Sequence, residues 1–239
     1  MLVVGFPAGP WGTNCWLLAP AAGEQCIVVD PGTDAVPGIE EAVREHGLAP
    51  VAVLLTHGHI DHVWSVVPVC GARGIPAYVH PDDRGMLADP MAGISGQTRE
   101  MLSGMTGGLL PSAEPDDLRE LRDGTVLELA GLELTVDHAP GHTRGSVMFR
   151  RAASGELPPL LLSGDVLFEG SIGRTDLPGG DHAAMLDSLA GKVLPLDDET
   201  VVLPGHGSTT TIGRERVANP YLTALAGPDG APAAPGRGL

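Results

Sequence analysis

The sequence predicts an α+β fold in which two β-sheets pack face to face and helices cover both outer surfaces, a four-layer αββα sandwich. Three observations carry that expectation. Short apolar runs of strand length, broken by Gly and Pro, fall in two batches along the chain. Each batch is accompanied by segments with helical start and stop signals. Residue types that bind metals stand directly after several of the apolar runs, where strands would end.

Taken in order, Leu2–Phe6, Cys15–Leu18 and Cys26–Val29 read as three strands separated by Pro/Gly turns, the third ending in Asp30-Pro31-Gly32. Pro37–His46 reads as a helix stopped by Gly47. Val51–Leu55 is a buried strand, Asp61–Cys70 a single helix, and Ala77–His80 a strand followed by a short helix opening at Pro81-Asp82-Asp83. From Met91 to Leu118 the pattern dissolves around Met101, Met105 and Gly107-Gly108. Long irregular stretches are usually functional loops or disordered, and a partly apolar flap near the site is expected. Thr125–Leu129 and Leu132–Val136 form a hairpin around Ala130-Gly131, and Ser146–Arg150 and Leu160–Leu162 add two strands. Asp181–Leu189 reads as a helix with Asp181 as its N-cap, and Thr200–Leu203 as the final strand. One domain is expected over residues 1–220, with a Gly-, Pro- and Ala-rich flexible tail over 221–239.

Only 3% of residues are aromatic, so the core must rest on Val, Leu, Ala and Ile. The formal net charge of −16 argues against nucleic acid and against anionic membrane surfaces, both of which need clustered Lys and Arg. Cys15, Cys26 and Cys70 lack any CxxC spacing and read as buried, reduced side chains. With no basic leader and no apolar stretch of spanning length, the expected location is cytoplasmic.

The segment Thr56-His57-Gly58-His59-Ile60-Asp61-His62 concentrates the chemistry. It follows an apolar strand, so His57 and His59 project the same way from an extended loop, while Asp61 and His62 open the next helix and face elsewhere. One peptide thus offers ligands to two neighbouring ions. Imidazole and carboxylate without thiolate suit Zn, Fe or Mn at an open catalytic site rather than a closed structural zinc. Three later strand ends carry further donors beside Gly: Pro140-Gly141-His142-Thr143, Ser163-Gly164-Asp165 and Pro204-Gly205-His206-Gly207. A lone polar residue after a strand is more often a turn residue than a ligand. Three such ends together with the central motif are much stronger.

These motifs, in this order, resemble those of the metallo-β-lactamase superfamily over nearly the whole chain up to about Asn219. The resemblance implies that family's four-layer sandwich and two divalent metal ions, zinc first, with iron and manganese as alternatives. It assigns His57, His59 and His142 to the first ion, Asp61, His62 and His206 to the second, and Asp165 to both. Asp30 would orient the His loop by hydrogen bonds. Within the superfamily the chain is similar to the short, single-domain glyoxalase II-like proteins, the hydroxyacylglutathione hydrolases. Asp165 stands where β-lactamases of the best-known class place Cys, which argues against β-lactam hydrolysis. The stretch Leu167–Asp176 resembles the family's substrate-thiol loop, with Arg174 in place of a basic residue that grips a carboxylate of glutathione.

The resemblance therefore implies thioester hydrolysis, of S-lactoylglutathione or a related small thioester, by a hydroxide between two metals, with Asp61 also orienting that hydroxide. The alternative is an Fe(II)-dependent persulfide dioxygenase, which shares the Gly173-Arg174-Thr175-Asp176 loop. A nuclease is disfavoured by the charge, and a metal-binding module without catalysis by the open ligand set. Oligomeric state is not legible.

Overall fold

On β3 (Gln25–Val29), Cys26 and Val28 project to one face and Ile27 and Val29 to the other, and all four are buried. A strand that is apolar on both faces needs cover on both. Here Cys26 and Val28 pack in a cluster with Ile39 and Ala42 of α1 (Ala35–His46) and Val69 of α3 (Val66–Arg73). Ile27 and Val29 instead meet Leu134, Val136, Phe149 and Leu162 from a second sheet. That sheet repeats the pattern. On β9 (Val147–Arg151), Val147 and Phe149 face the first sheet, whereas Met148 turns outward to Met185, Leu189 and Ile212. Helix, sheet, sheet and helix thus form the expected four layers. The computed structural model describes residues 1–96, 99–100 and 113–226.

The first sheet runs, in spatial order, β1 (Leu2–Ala8), β2 (Thr13–Ala19), β3, β4 (Ala49–Leu54), β5 (Ala77–Val79) and β6 (Leu118–Glu120), antiparallel to β3 and parallel beyond it. The second comprises β7 (Val126–Leu129), β8 (Leu132–His138), β9, β10 (Leu160–Gly164), β13 (Val201–Pro204) and β14 (Thr210–Thr211). A small hairpin, β11 (Leu167–Phe168) and β12 (Ser171–Ile172), stands apart.

Strand direction decides where the polar residues gather. β3 and β4 are parallel, so Asp30 and the His motif leave the same edge. β8 and β10 are each antiparallel to β9, and β13 is parallel to β10, so the segments carrying His142, Asp165 and His206 also share an edge. The two edges are tied together by hydrogen bonds from Val147 N to Thr56 O at 2.8 Å and from Asn14 N to Gly205 O at 2.7 Å.

Four expectations need correction. The helix expected over Asp61–Cys70 is two helices, α2 (Ile60–Val63) and α3. Pro68 explains the break: in a continuous helix its ring would collide with the carbonyl of Trp64 and it offers no N–H. The interruption is used, since Ser65 Oγ donates to Gly32 O at 2.6 Å. Thr200–Leu203 is not the last strand, because β14 pairs with β13. The tail begins later than expected: α7 (Pro220–Ala226) follows α6 (Ile212–Ala218), and its Leu222 is fully buried in the outer cluster. Residues 227–239 lie outside the described residues. The expected flap is irregular only in part, with a 3-10 turn at Pro90–Gly93 and β6 at its far end, while Met101, Met105 and Gly107-Gly108 lie outside the described residues. Other elements match closely. The hairpin turn at Ala130 and Gly131 has φ of 52° and 69°, the left-handed pair a two-residue turn requires.

Candidate metal centre

Each strand end delivers its side chain into one cluster. His57 and His59 come from the loop after β4, Asp61 and His62 from α2, His142 from the loop after β8, Asp165 from the end of β10, and His206 from the end of β13. Three overlapping groups each bring donor atoms within 4.8 Å of one another: His57, His59 and His142; His57, His62 and Asp165; and Asp61, His62 and His206. His59 Nδ1 lies 2.8 Å from His142 Nε2, and His62 Nε2 lies 3.3 Å from His206 Nε2. Asp165 stands between them, Oδ2 being 3.5 Å from His142 Nε2 and 3.6 Å from His206 Nε2. All seven residues assigned from sequence meet here.

Around the cluster, hydrogen bonds select the tautomers. His62 Nδ1 pairs with Asp30 Oδ2 at 2.9 Å, and Asp30 also accepts from Thr56 N at 2.8 Å and Thr56 Oγ1 at 2.6 Å. His142 Nδ1 donates to the carbonyl of Arg174 at 2.7 Å, which leaves Nε2 as a lone pair turned toward the cluster. Thr13 Oγ1 donates to Asp61 Oδ2 at 3.1 Å.

The electrostatics divide the cluster in two. Burial, reinforced by the neighbouring imidazoles, holds His57 well below the usual histidine range. Burial together with His142 lowers His59 to about 3 against an opposing pull from Asp61. Both therefore stay neutral. His62 behaves oppositely: burial would lower it, but Asp165, Asp61 and Asp30 outweigh that and push it to about 10. His206 is likewise raised, burial being outweighed by Asp61 and Asp165. For Asp61, burial would raise the carboxyl, yet His62 and His206 hold it below the carboxylate range.

The donor set fits a pair of divalent cations. Buried His57 Nε2 and His59 Nε2 find no hydrogen-bond partner, which is costly unless something positive or proton-bearing meets them. Five imidazoles and two carboxylates without thiolate match hard-to-intermediate ions.

The cluster opens into a cavity of about 420 Å³ walled by Trp11, Ile60, Ile94, Phe168 and Leu177. Arg174 reaches its edge but is not free, because its guanidinium grips Asp176 through two bonds of 2.7 and 2.8 Å. What Arg174 gives the cluster is its backbone carbonyl, a role side-chain reasoning cannot see. His138 does not touch the cluster. It bonds to Arg144 O at 2.9 Å and stacks on His80. Sequence reading also missed Asn14 and Asp83. Asn14 Nδ2 donates to Pro204 O and Gly207 O on either side of His206, and Asp83 is wholly buried between the loops. Neither carries a local signal, as a polar residue near a turn is ordinary.

A model of the metallo-β-lactamase superfamily matches residues 8–206. An uncharacterized protein of Mycobacterium tuberculosis is 47% identical over 227 residues, spanning 94% of this chain and 99% of that protein. The hydroxyacylglutathione hydrolase GloC of Haemophilus influenzae is 32% identical over 216 residues, or 90% of this chain and 95% of that one. The crystal structure of the BLEG-1 B3 metallo-β-lactamase superposes with a TM-score of 0.80 at 40% identity, covering 93% of this chain and 100% of that chain. Among the described residues no helix is long and apolar enough to cross a membrane. The family match runs through both sheets and takes in all seven cluster residues, so the chain belongs to the metallo-β-lactamase superfamily.

Proposed function

We propose that the chain is a dinuclear metallo-hydrolase that cleaves thioesters of the S-lactoylglutathione type. His57, His59 and His142 would take the first divalent cation, Asp61, His62 and His206 the second, and Asp165 would lie between them. The observation that carries this reading is the convergence of the overlapping donor groups on a cluster with orphaned buried nitrogens at His57 and His59. Zinc suits such donors, and iron or manganese does too. The likeness to GloC supports a thioester substrate.

Two dications in this cage would acidify a water between them and offset negative charge growing on a carbonyl oxygen. The protein's own contributions surround that chemistry. Asp61 lines the cavity and stays ionised, so it can accept a hydrogen bond from the attacking water and orient it. The Arg174 carbonyl and Asp30 hold His142 and His62 in the tautomers that present Nε2. The apolar wall of Trp11, Ile94 and Phe168 shields an acyl group from bulk water. A thiolate leaves readily, which matches the lack of a dedicated acid in this assignment. A carboxylate on the thiol carrier would take over the Arg174 fork from Asp176.

The likeness to BLEG-1 favours a second reading, attack on a β-lactam carbonyl by the same machinery. Metal-loaded protein assayed on S-lactoylglutathione and on a chromogenic cephalosporin separates the two, and the thioester is expected to turn over faster. Asp165→Ala should lower thioester hydrolysis on the order of 10³-fold and leave fewer than two metals per chain. Faster β-lactam turnover, or full activity and metal content in that variant, would overturn the assignment.

A further inference from the structure

Asp83 is absent from the reaction outlined above, yet it is a wholly buried carboxylate beside the cluster that accepts three hydrogen bonds. It sits on α4 (Pro81–Ala88), the helix that follows β5, and is 0% exposed. Its Oδ2 accepts from Gly58 N at 2.9 Å and from Thr143 Oγ1 at 2.6 Å, and its Oδ1 accepts from Gly145 N at 2.7 Å. Gly58 lies between His57 and His59 on the first sheet's edge. Thr143 and Gly145 follow His142 on the second sheet's edge. One side chain thus hydrogen-bonds to both loops that supply the all-imidazole group.

The loops are shaped to admit it. A Cβ on Gly145 would fall 2.6 Å from Asp83 Cγ, and one on Gly58 would fall 2.8 Å from the Asp83 carbonyl oxygen. Each loop therefore has a glycine where α4 presses closest. A carboxylate is also the only acceptor of this size that can serve three donors at once. Asparagine would turn an N–H against either Gly145 N–H or Gly58 N–H.

We propose that Asp83 is a positioning residue that sets the gap between the His57/His59 loop and the His142 loop, and thereby the affinity of the first metal position, without touching the ion. The inference rests on the ligand assignment made above. The second position has supports of its own: His62 is held by Asp30, and the loop around His206 by Asn14. Asp83 therefore acts on one position and leaves the other alone.

The test is zinc titration against a chromophoric chelator in two backgrounds, His206→Ala, which retains the first position, and His59→Ala, which retains the second. Adding Asp83→Asn is expected to weaken zinc binding about 10- to 100-fold in the first background and to leave the second unchanged. Thr143→Val, which deletes one of the three donors, should act in the same direction but less, and Thr143→Ser should restore affinity. Thr143→Val also decides the matter if the Asp83 variant does not fold. Equal loss in both backgrounds would make Asp83 a general structural residue, and no loss in either would refute the proposal. If the unsubstituted protein fails to bind two zinc ions, it is the ligand assignment that falls.

Discussion

The two halves of the cluster are built by opposite means. His57, His59 and His142 form a buried set that contains no carboxylate, and the groups that position it are Thr56 Oγ1, a carbonyl oxygen and the remote carboxylate of Asp83. Asp61, His62 and His206 include an anion, lean on Asp30, and reach solvent at His206, whose side chain is 28% exposed. His57 and His59 are held neutral by burial and have no charge-carrying proton to shed on meeting a cation, so affinity at the first position depends chiefly on geometry. The second attracts a cation by charge but must release a proton from His62 to bind it.

That contrast can be broken at its strongest point with Asp30→Asn. Asparagine tolerates the left-handed φ of 51° at this position, so the backbone is spared. It cannot satisfy Thr56 N, Thr56 Oγ1 and His62 Nδ1 together, and a buried group left unpaired costs about 3 kcal/mol. A clear drop in melting temperature is expected, with the second metal lost first and the first weakened less, through Thr56 and its contact with His57; loss of the first metal alone would reverse the comparison. Asn14→Ala is a milder version of the same break. It removes the two Asn14 hydrogen bonds beside His206, at about 1–3 kcal/mol, while Trp16 Nε1 still donates to Pro204 O, and it should lower metal stoichiometry toward one while thermal unfolding shifts modestly.

The protons give an independent reading in chelator-treated protein. The folded chain refuses a proton at His59 until about pH 3, whereas an unfolded histidine takes it near 6.5, so stability falls as pH drops from 6.5 toward 3. At His62 the folded value is about 10, so its contribution is complete below 6.5 and is lost as pH rises toward 10. The metal-free protein should melt highest near pH 6.5. His59→Gln should flatten the acid limb and His62→Gln the alkaline one, as followed by melting temperature against pH. The smallest effect belongs to Arg174→Ala. Its pairing with Asp176 is largely exposed, so stability should change by less than about 0.5 kcal/mol, while KM for S-lactoylglutathione rises and kcat holds. An unchanged KM would remove Arg174 from substrate recognition.

The sequence makes the ligands visible because His57, His59, His142, Asp165 and His206 follow strands that can be read as apolar and stand beside a glycine, while Asp61 and His62 complete the same motif at the start of α2. The layers were visible too, since runs such as Cys26–Val29 are apolar at every position and need cover on both faces. What stayed hidden is what depends on distance along the chain. Nothing near Asp83 marks it as an acceptor for residues 25 and 62 positions away, and nothing near Asn14 points to a loop 190 positions on. The split at Pro68 was readable in principle from proline's missing N–H. The late helix at Pro220–Ala226 was masked by its similarity in composition to the residues beyond it.

His62 and His206 meet across 144 positions, and this carries a consequence for biosynthesis. A ribosome adding roughly 5–20 residues per second delivers the second half of the pair several to tens of seconds after the first. During that interval the emerging segment around His57 presents imidazoles and a carboxylate with no counterpart from the later strands. The complete donor set therefore exists only once β13 has docked, so a test for metal binding on a chain truncated before β13 would read the cluster without His206.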